Sequence, residues 1–191
     1  MSDAARMESF IGLSQALTGI SRSVLAPDLD PIDLKSTYLQ TLDQQIGPPA
    51  TDALLQLYVD LKQQGLSDEQ IAQTILEPPL PPPPAGIDPV AQAAQARSIM
   101  KMWLLGSWYM PTLPGQAEDL SGTVISANAY TGGLAWTIAQ AHPMGYSELS
   151  FGYWATPSPP LPDGIPVQQT PPPQVVVPSA QTQPSAGGDH A

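Results

Sequence analysis

Apolar residues recur at spacings of three and four along much of this chain, and the interruptions between those stripes are proline and glycine. Phe10, Leu13 and Leu17 share one helical face, with Asp3 in position to cap the first turn and Gly19 to stop the last. Asp30 followed by Pro31 has the form of an N-cap with proline at the first helical position. Ile32, Tyr38, Leu39, Leu42 and Ile46 then keep a helical stripe until Gly47, Pro48 and Pro49 end it. A third helix is expected to open at Thr51 or Asp52, bury Leu54, Leu55, Tyr58 and Leu61, and close at Gly65. Ser67-Asp68-Glu69-Gln70 is a capping-box pattern, which predicts a short fourth helix to about Leu76.

Between Glu77 and Pro84, six of eight residues are proline, a composition that excludes helix and sheet interior and makes a stiff spacer. Asp88-Pro89 repeats the cap-plus-proline signal. The alanine-rich helix that follows carries Val90, Ala93, Ala94, Arg97, Met100, Trp103 and Leu104 before Gly106. Pro111, Pro114 and Gly115 make Tyr109 to Ser121 a loop. Asn128 to Gln140 is expected to form a last helix with Tyr130, Leu134 and Ile138 on its stripe, although Gly132 and Gly133 inside it cost about 1 kcal/mol each against alanine. His142 to Pro157 follows neither period. The expectation is an all-α fold, one small helical domain of about five to six helices with a long aromatic-rich C-terminal loop and a disordered, Pro-rich tail. Its parts are a helical half over 1–76, a spacer over 77–87, an aromatic half over 88–157 that packs on the first, and a tail over 158–191. No repeat and no sheet pattern is legible.

The tail reading rests on composition. Thr156 to Ala191 holds ten prolines and no Phe, Trp or Tyr, too little apolar surface to offset chain entropy. Six basic against seventeen acidic residues give a net charge of −11 with the cations scattered singly, which argues against nucleic acid and against adsorption to anionic lipid. The chain has no cysteine. Thiolate-ligated iron–sulfur clusters, Cys-anchored haem, catalytic thiols and disulfides are therefore excluded on this chain. No run of 18 apolar residues is present, and the N-terminal residues carry neither a basic-then-apolar leader nor a twin arginine, so the expectation is a chain without its own export signal.

Candidate chemistry is sparse. Of two histidines, His142 precedes a proline with no acidic pair at helical spacing, and His190 falls in the tail, so no metal cage is legible. Glu118, Asp119 and Glu148 show no spacing that marks an acid–base pair, and a hydrolase would rest on His142 alone. Gly132-Gly133 has no preceding strand, so it is not a dinucleotide turn. The catalytic, cofactor-binding and metal-ligating residues expected on this chain are none. What stands out is aromatic: Trp103, Trp108, Trp136 and Trp154, with four of the six tyrosines, fall in one stretch ending Phe151-Gly152-Tyr153-Trp154-Ala155-Thr156-Pro157. Trp103 and Trp136 lie beside aliphatic stripes and are expected in the core. Trp108, Tyr109, Phe151, Tyr153 and Trp154 lie in loops, where core and partner interface compete, and they are the candidate partner-binding residues.

The stretch from Arg97 to Gly106 (Arg-Ser-Ile-Met-Lys-Met-Trp-Leu-Leu-Gly), then Tyr130, Leu134-Ala135-Trp136, His142-Pro143 and Phe151 to Pro157, resembles the small subunit of bacterial membrane-associated FAD-dependent sugar and polyol dehydrogenases. Phe10 to Gly19 also resembles that family's opening helix. The resemblance covers roughly Phe10 to Pro157 and is one of order and spacing. It implies a non-catalytic subunit, without cofactor, that binds, stabilises and helps mature a large subunit holding FAD and an iron–sulfur cluster, in a complex with a multihaem cytochrome c. It also implies a periplasmic complex that meets the membrane only through partners, in a family whose small subunit carries a twin-arginine signal that this sequence lacks. A competing expectation is a free-standing helical adaptor whose Pro-rich segments dock on the aromatic grooves of other proteins.

Overall fold

The computed structural model describes residues 1–78, 88–117, 120–146 and 160–165, and every structural statement below concerns those residues. The fold is all-α. Five long helices, α1 (Asp3–Thr18), α3 (Leu34–Ile46), α4 (Pro48–Gln63), α5 (Asp68–Leu76) and α6 (Pro89–Leu105), carry the core. Three short ones, α2 (Arg22–Leu25), α7 (Ala127–Thr131) and α8 (Leu134–Ile138), and a two-residue antiparallel ribbon of β1 (Ser107–Trp108) with β2 (Thr123–Val124) complete it.

Helix α1 is the hub, packed against α2, α3, α4, α5 and α6. Its sequence explains why. Phe10, Ile11, Leu13, Ala16 and Leu17 are buried together with the small polar residues Ser9 and Ser14, so the buried surface wraps most of the helix instead of one stripe. A Cβ on Gly12 would overlap the Tyr58 hydroxyl, so glycine lets that α4 side chain lie directly on the α1 backbone. At the other end Arg6 donates from both terminal nitrogens to Asp43 of α3, at 3.1 and 2.7 Å, and from Nε to Asp52 of α4 at 2.6 Å. The Asp43 hydrogen bond, more than the Asp52 one, raises the guanidinium pKa further above its ordinary value, opposed only by partial burial.

Residues of both halves of the chain share one core: Phe10, Tyr38, Leu54, Ile71, Ile99 and Trp103 belong to a single buried cluster. Tyr38 meets Trp103 edge-on at 4.7 Å between centroids, and Phe10 stacks on Trp103 at 6.3 Å. Burial has a polar cost here. The Tyr38 hydroxyl, Ser14 Oγ and Trp103 Nε1 have no hydrogen-bond partner among the described residues, and burial raises the Tyr38 pKa well above that of a solvated phenol.

Several boundaries differ from the sequence expectation for identifiable reasons. Ser2, not Asp3, caps α1, its hydroxyl accepting from the Ala5 N–H at 3.3 Å. Asp30 does not cap α3 directly: it accepts from the Asp33 N–H at 2.7 Å in a local turn, Asp33 takes a left-handed φ of 52°, and the helix begins at Leu34. Pro48 and Pro49 both end α3 and open α4, since the first helical N–H groups need no partner. The expected helix from Asn128 to Gln140 breaks at Gly132-Gly133 into α7 and α8. The capping box at Ser67–Gln70 and the Asp88 cap at Val90 are formed as the sequence predicts.

Candidate functional site

The segment after α6 is built on Gly106. With φ 64° it ends the helix, and its carbonyl accepts from the Ile125 N–H at 3.2 Å, which brings β2 alongside β1. That ribbon turns Trp108 inward: the side chain is 4% exposed and belongs to the core, with Nε1 directed at Met110 Sδ 3.3 Å away. Tyr109, on the opposite face, is half-buried; Lys101 Nζ lies 5.1 Å above its ring, and a Cβ on Gly122 would overlap it. Thus the ribbon anchors one ring in the core and presents the next at its outer side.

Trp136 behaves in the opposite way to the sequence expectation. It is half-buried on α8, a helix with no buried residue, and its Nε1 donates to the Tyr130 carbonyl at 2.9 Å. Tyr130 packs edge-on against Trp136 at 5.5 Å and lies 6.2 Å from the Tyr146 ring. The Gly132-Gly133 break shortens the helix to one turn, in which Leu134 packs against the core and the tryptophan is tied to the Tyr130 carbonyl of the turn before it. Tyr146 is 52% exposed, and Ile138 and Met144, each two residues along the chain from a ring of this cluster, are 42% and 79% exposed. Tyr130 links the other two rings, edge-on to Trp136 and tilted toward Tyr146, and these part-exposed rings with exposed Ile138 and Met144 nearby in sequence make an apolar surface with polar ring edges, a composition enriched at protein interfaces.

Of the candidate partner-binding residues, Trp108 is in the core, Tyr109 is at the outer side of the ribbon, and Phe151, Tyr153 and Trp154 lie outside the described residues. Tyr130, Trp136 and Tyr146 join the candidate surface; the signal that could have found Tyr146 is its place beside the His142-Pro143 turn. The His142 ring sits on that turn, with Nδ1 3.2 Å from the Pro143 carbonyl oxygen, an acceptor only. Glu118, Asp119, Glu148 and His190 lie outside the described residues, and among those described no group of His, Asp and Glu is arranged to hold a metal ion. No described helix is long and apolar enough to cross a membrane.

A separate cleft of about 280 Å³ lies between α3 and the ribbon. Trp108 forms part of its lining with Met110 and Val124, and Thr41, Gln44 and Gln45 face them. No charged residue lines it.

No family model, curated protein or solved structure matches the chain.

Proposed function

We propose that this chain is a non-catalytic helical subunit that binds and stabilises the FAD-containing large subunit of a sugar or polyol dehydrogenase. The observation that carries the docking part of this reading is the half-exposed ring cluster of Tyr130, Trp136 and Tyr146, with the exposed Ile138 and Met144 two residues along the chain from its rings. An apolar surface of this kind costs free energy in water and recovers it when a partner covers it. The identity of the partner rests on the resemblance of Arg97 to Gly106 and of the Tyr130, Trp136 and His142-Pro143 positions to the small-subunit family. In this reading FAD, the iron–sulfur cluster and the haems belong to the partner subunits, and the complex is periplasmic.

Co-expression with a tagged large subunit of that dehydrogenase class tests it. Tyr146→Ser with Met144→Ser removes apolar area at exposed positions while leaving the core untouched, and is expected to cut recovery of the complex at least tenfold with the isolated chain's melting temperature unchanged. Recovery equal to that of the unaltered chain would place the interface elsewhere, and no recovery with the unaltered chain would reject the partner class.

A further inference from the structure

The cations of this chain divide into two groups. Arg6, Arg22, Lys35 and Lys62 each form an ion pair with one or two carboxylates. Arg97 and Lys101 are the only Lys or Arg beyond residue 62, and no carboxylate of the described residues pairs with Arg97, although acidic residues outnumber basic ones seventeen to six. The Arg97 guanidinium donates from Nη2 to the Leu76 carbonyl at 2.7 Å, which leaves the rest of its donor fork. Lys101 follows one turn later on α6, its ammonium 5.1 Å from the centre of the Tyr109 ring.

Both side chains line one cleft of about 410 Å³ between α6 and the loop after β1, and none of the described residues lining it is acidic. The loop adds a donor and an apolar wall. Leu113-Pro114-Gly115-Gln116 is a tight turn with proline second and Gly115 at φ 84°, closed by the Gln116 N–H donating to the Leu113 carbonyl at 3.0 Å. The Leu113 N–H donates in return to Gln116 Oε1 at 3.1 Å, so the oxygen of that carboxamide is engaged and its NH2 end is left as a donor. Met110, Leu113 and Pro114 supply apolar surface beside it. Two cations and an amide donor next to an apolar wall suit an organic anion, and they oppose a cation.

The placement of charge narrows the class. Residues four apart on a helix stand about 6 Å apart at Cβ. An extended dicarboxylate of four or five carbons holds its two carboxyl carbons about 4–5 Å apart at about 1.5 Å per bond, so it can reach both cations at once. The planar fork of Arg97 matches one carboxylate, and the Lys101 ammonium, a point charge on a flexible stem, meets the other over a range of angles. We propose that the cleft between α6 and the 110–116 loop binds a small organic dicarboxylate, with one carboxylate on Arg97, the other on Lys101 and its methylenes against Met110 and Leu113. The site shares no residue with the ring cluster of Tyr130, Trp136 and Tyr146 and does not depend on which partner that cluster meets.

Titration of the full chain with glutarate at constant ionic strength, followed through the NMR signals of the Met110 methyl and the Gln116 side-chain amide, tests this. Saturable shifts are expected at both. Lys101→Gln and Arg97→Lys are each expected to weaken glutarate binding about tenfold, the second because it keeps the charge and loses the fork. Lys101→Gln leaves the bond from Arg97 to the Leu76 carbonyl in place, so it carries the test even where Arg97→Lys loosens the end of α5. Butyrate, with a single carboxylate, and inorganic phosphate, without an apolar body, are each expected to bind about tenfold more weakly than glutarate. Shifts that rise linearly without saturating, or that sodium chloride reproduces, would overturn the proposal. So would unchanged affinity in Lys101→Gln, or butyrate or phosphate binding as tightly as glutarate.

Discussion

Gly106 and Gly65 offer a matched pair in which the same substitution has two outcomes. Both hold left-handed backbone, with φ of 64° and 80°. An L-residue in that conformation loses about 1–2 kcal/mol relative to glycine, so this part of the cost is common to Gly106→Ala and Gly65→Ala. The surroundings are not common. A Cβ at Gly65 meets nothing within 4 Å, whereas at Gly106 it would overlap the Ala129 carbonyl and stand 2.7 Å from Tyr130 Cα. Those are backbone atoms of α7 and cannot rotate away. The helix must shift, disturbing the fully buried Ala129 and the bond from Ile125 N–H to the Gly106 carbonyl. Overpacking of that kind adds about 1–3 kcal/mol. Gly65→Ala is therefore expected to lose about 1 kcal/mol and Gly106→Ala about 3–4, the latter lowering Tm by roughly 6–15 °C for a chain of this size. Urea titration followed by circular dichroism measures both, and amide spectra of residues 120–146 report whether the damage is local to the ribbon, α7 and α8. Equal losses at the two glycines would refute the close approach of α7 to the end of α6.

Tyr38→Phe is expected to raise stability by about 1 kcal/mol in urea melts, because it removes a buried hydroxyl without a partner while keeping the ring on Trp103; a loss of that size would mean the hydroxyl is bonded in solution. Arg6→Met should lose about 2 kcal/mol, since it leaves Asp43 and Asp52 facing each other across the α1, α3 and α4 junction, and sodium chloride should recover part of that loss. Asp68 is partly buried, which raises its pKa, yet hydrogen bonds from Lys62 and Gln15 prevail and hold it below the ordinary carboxylate value. A depressed folded pKa contributes stability above about pH 4 that is lost as pH falls through the folded value. Asp68→Asn is thus expected to flatten the acid limb of stability against pH below about 4, and an unchanged limb would remove Asp68 from the acid response.

The helices were legible where a cap and a stripe agree on one register. Ser67 to Gln70 and Asp88-Pro89 carry local chemistry that no tertiary contact has to supply, and Gly19 and Gly106 supply stops that any helix can use. Asp30-Pro31 shows where the same local chemistry misleads. The carboxylate that would cap a helix starting at Pro31 instead accepts from the Asp33 N–H and pairs with Lys35 at 2.6 Å, and this turn postpones α3 by three residues, to Leu34. Neither geometry differs in sequence pattern from the other.

The aromatic surface sharpens the same point, because burial of a single ring is decided by neighbours that periodicity does not contain. Trp108 is placed in the core by a ribbon of two residues per strand, too short to leave an alternating pattern, in which it pairs with Thr123 from across a loop. Trp136 lies beside a helical stripe on a one-turn helix severed by Gly132-Gly133; Leu134 of that helix packs against the core, while the Trp136 indole turns back to the Tyr130 carbonyl. The sequence could say that these rings matter and not which way each would turn. If Trp136 is held to the surface by its bond to the Tyr130 carbonyl and by the glycine break, the exposure is built into the local backbone. A surface made that way is available before any partner arrives, which is the property that the proposed docking on an unassembled enzyme requires.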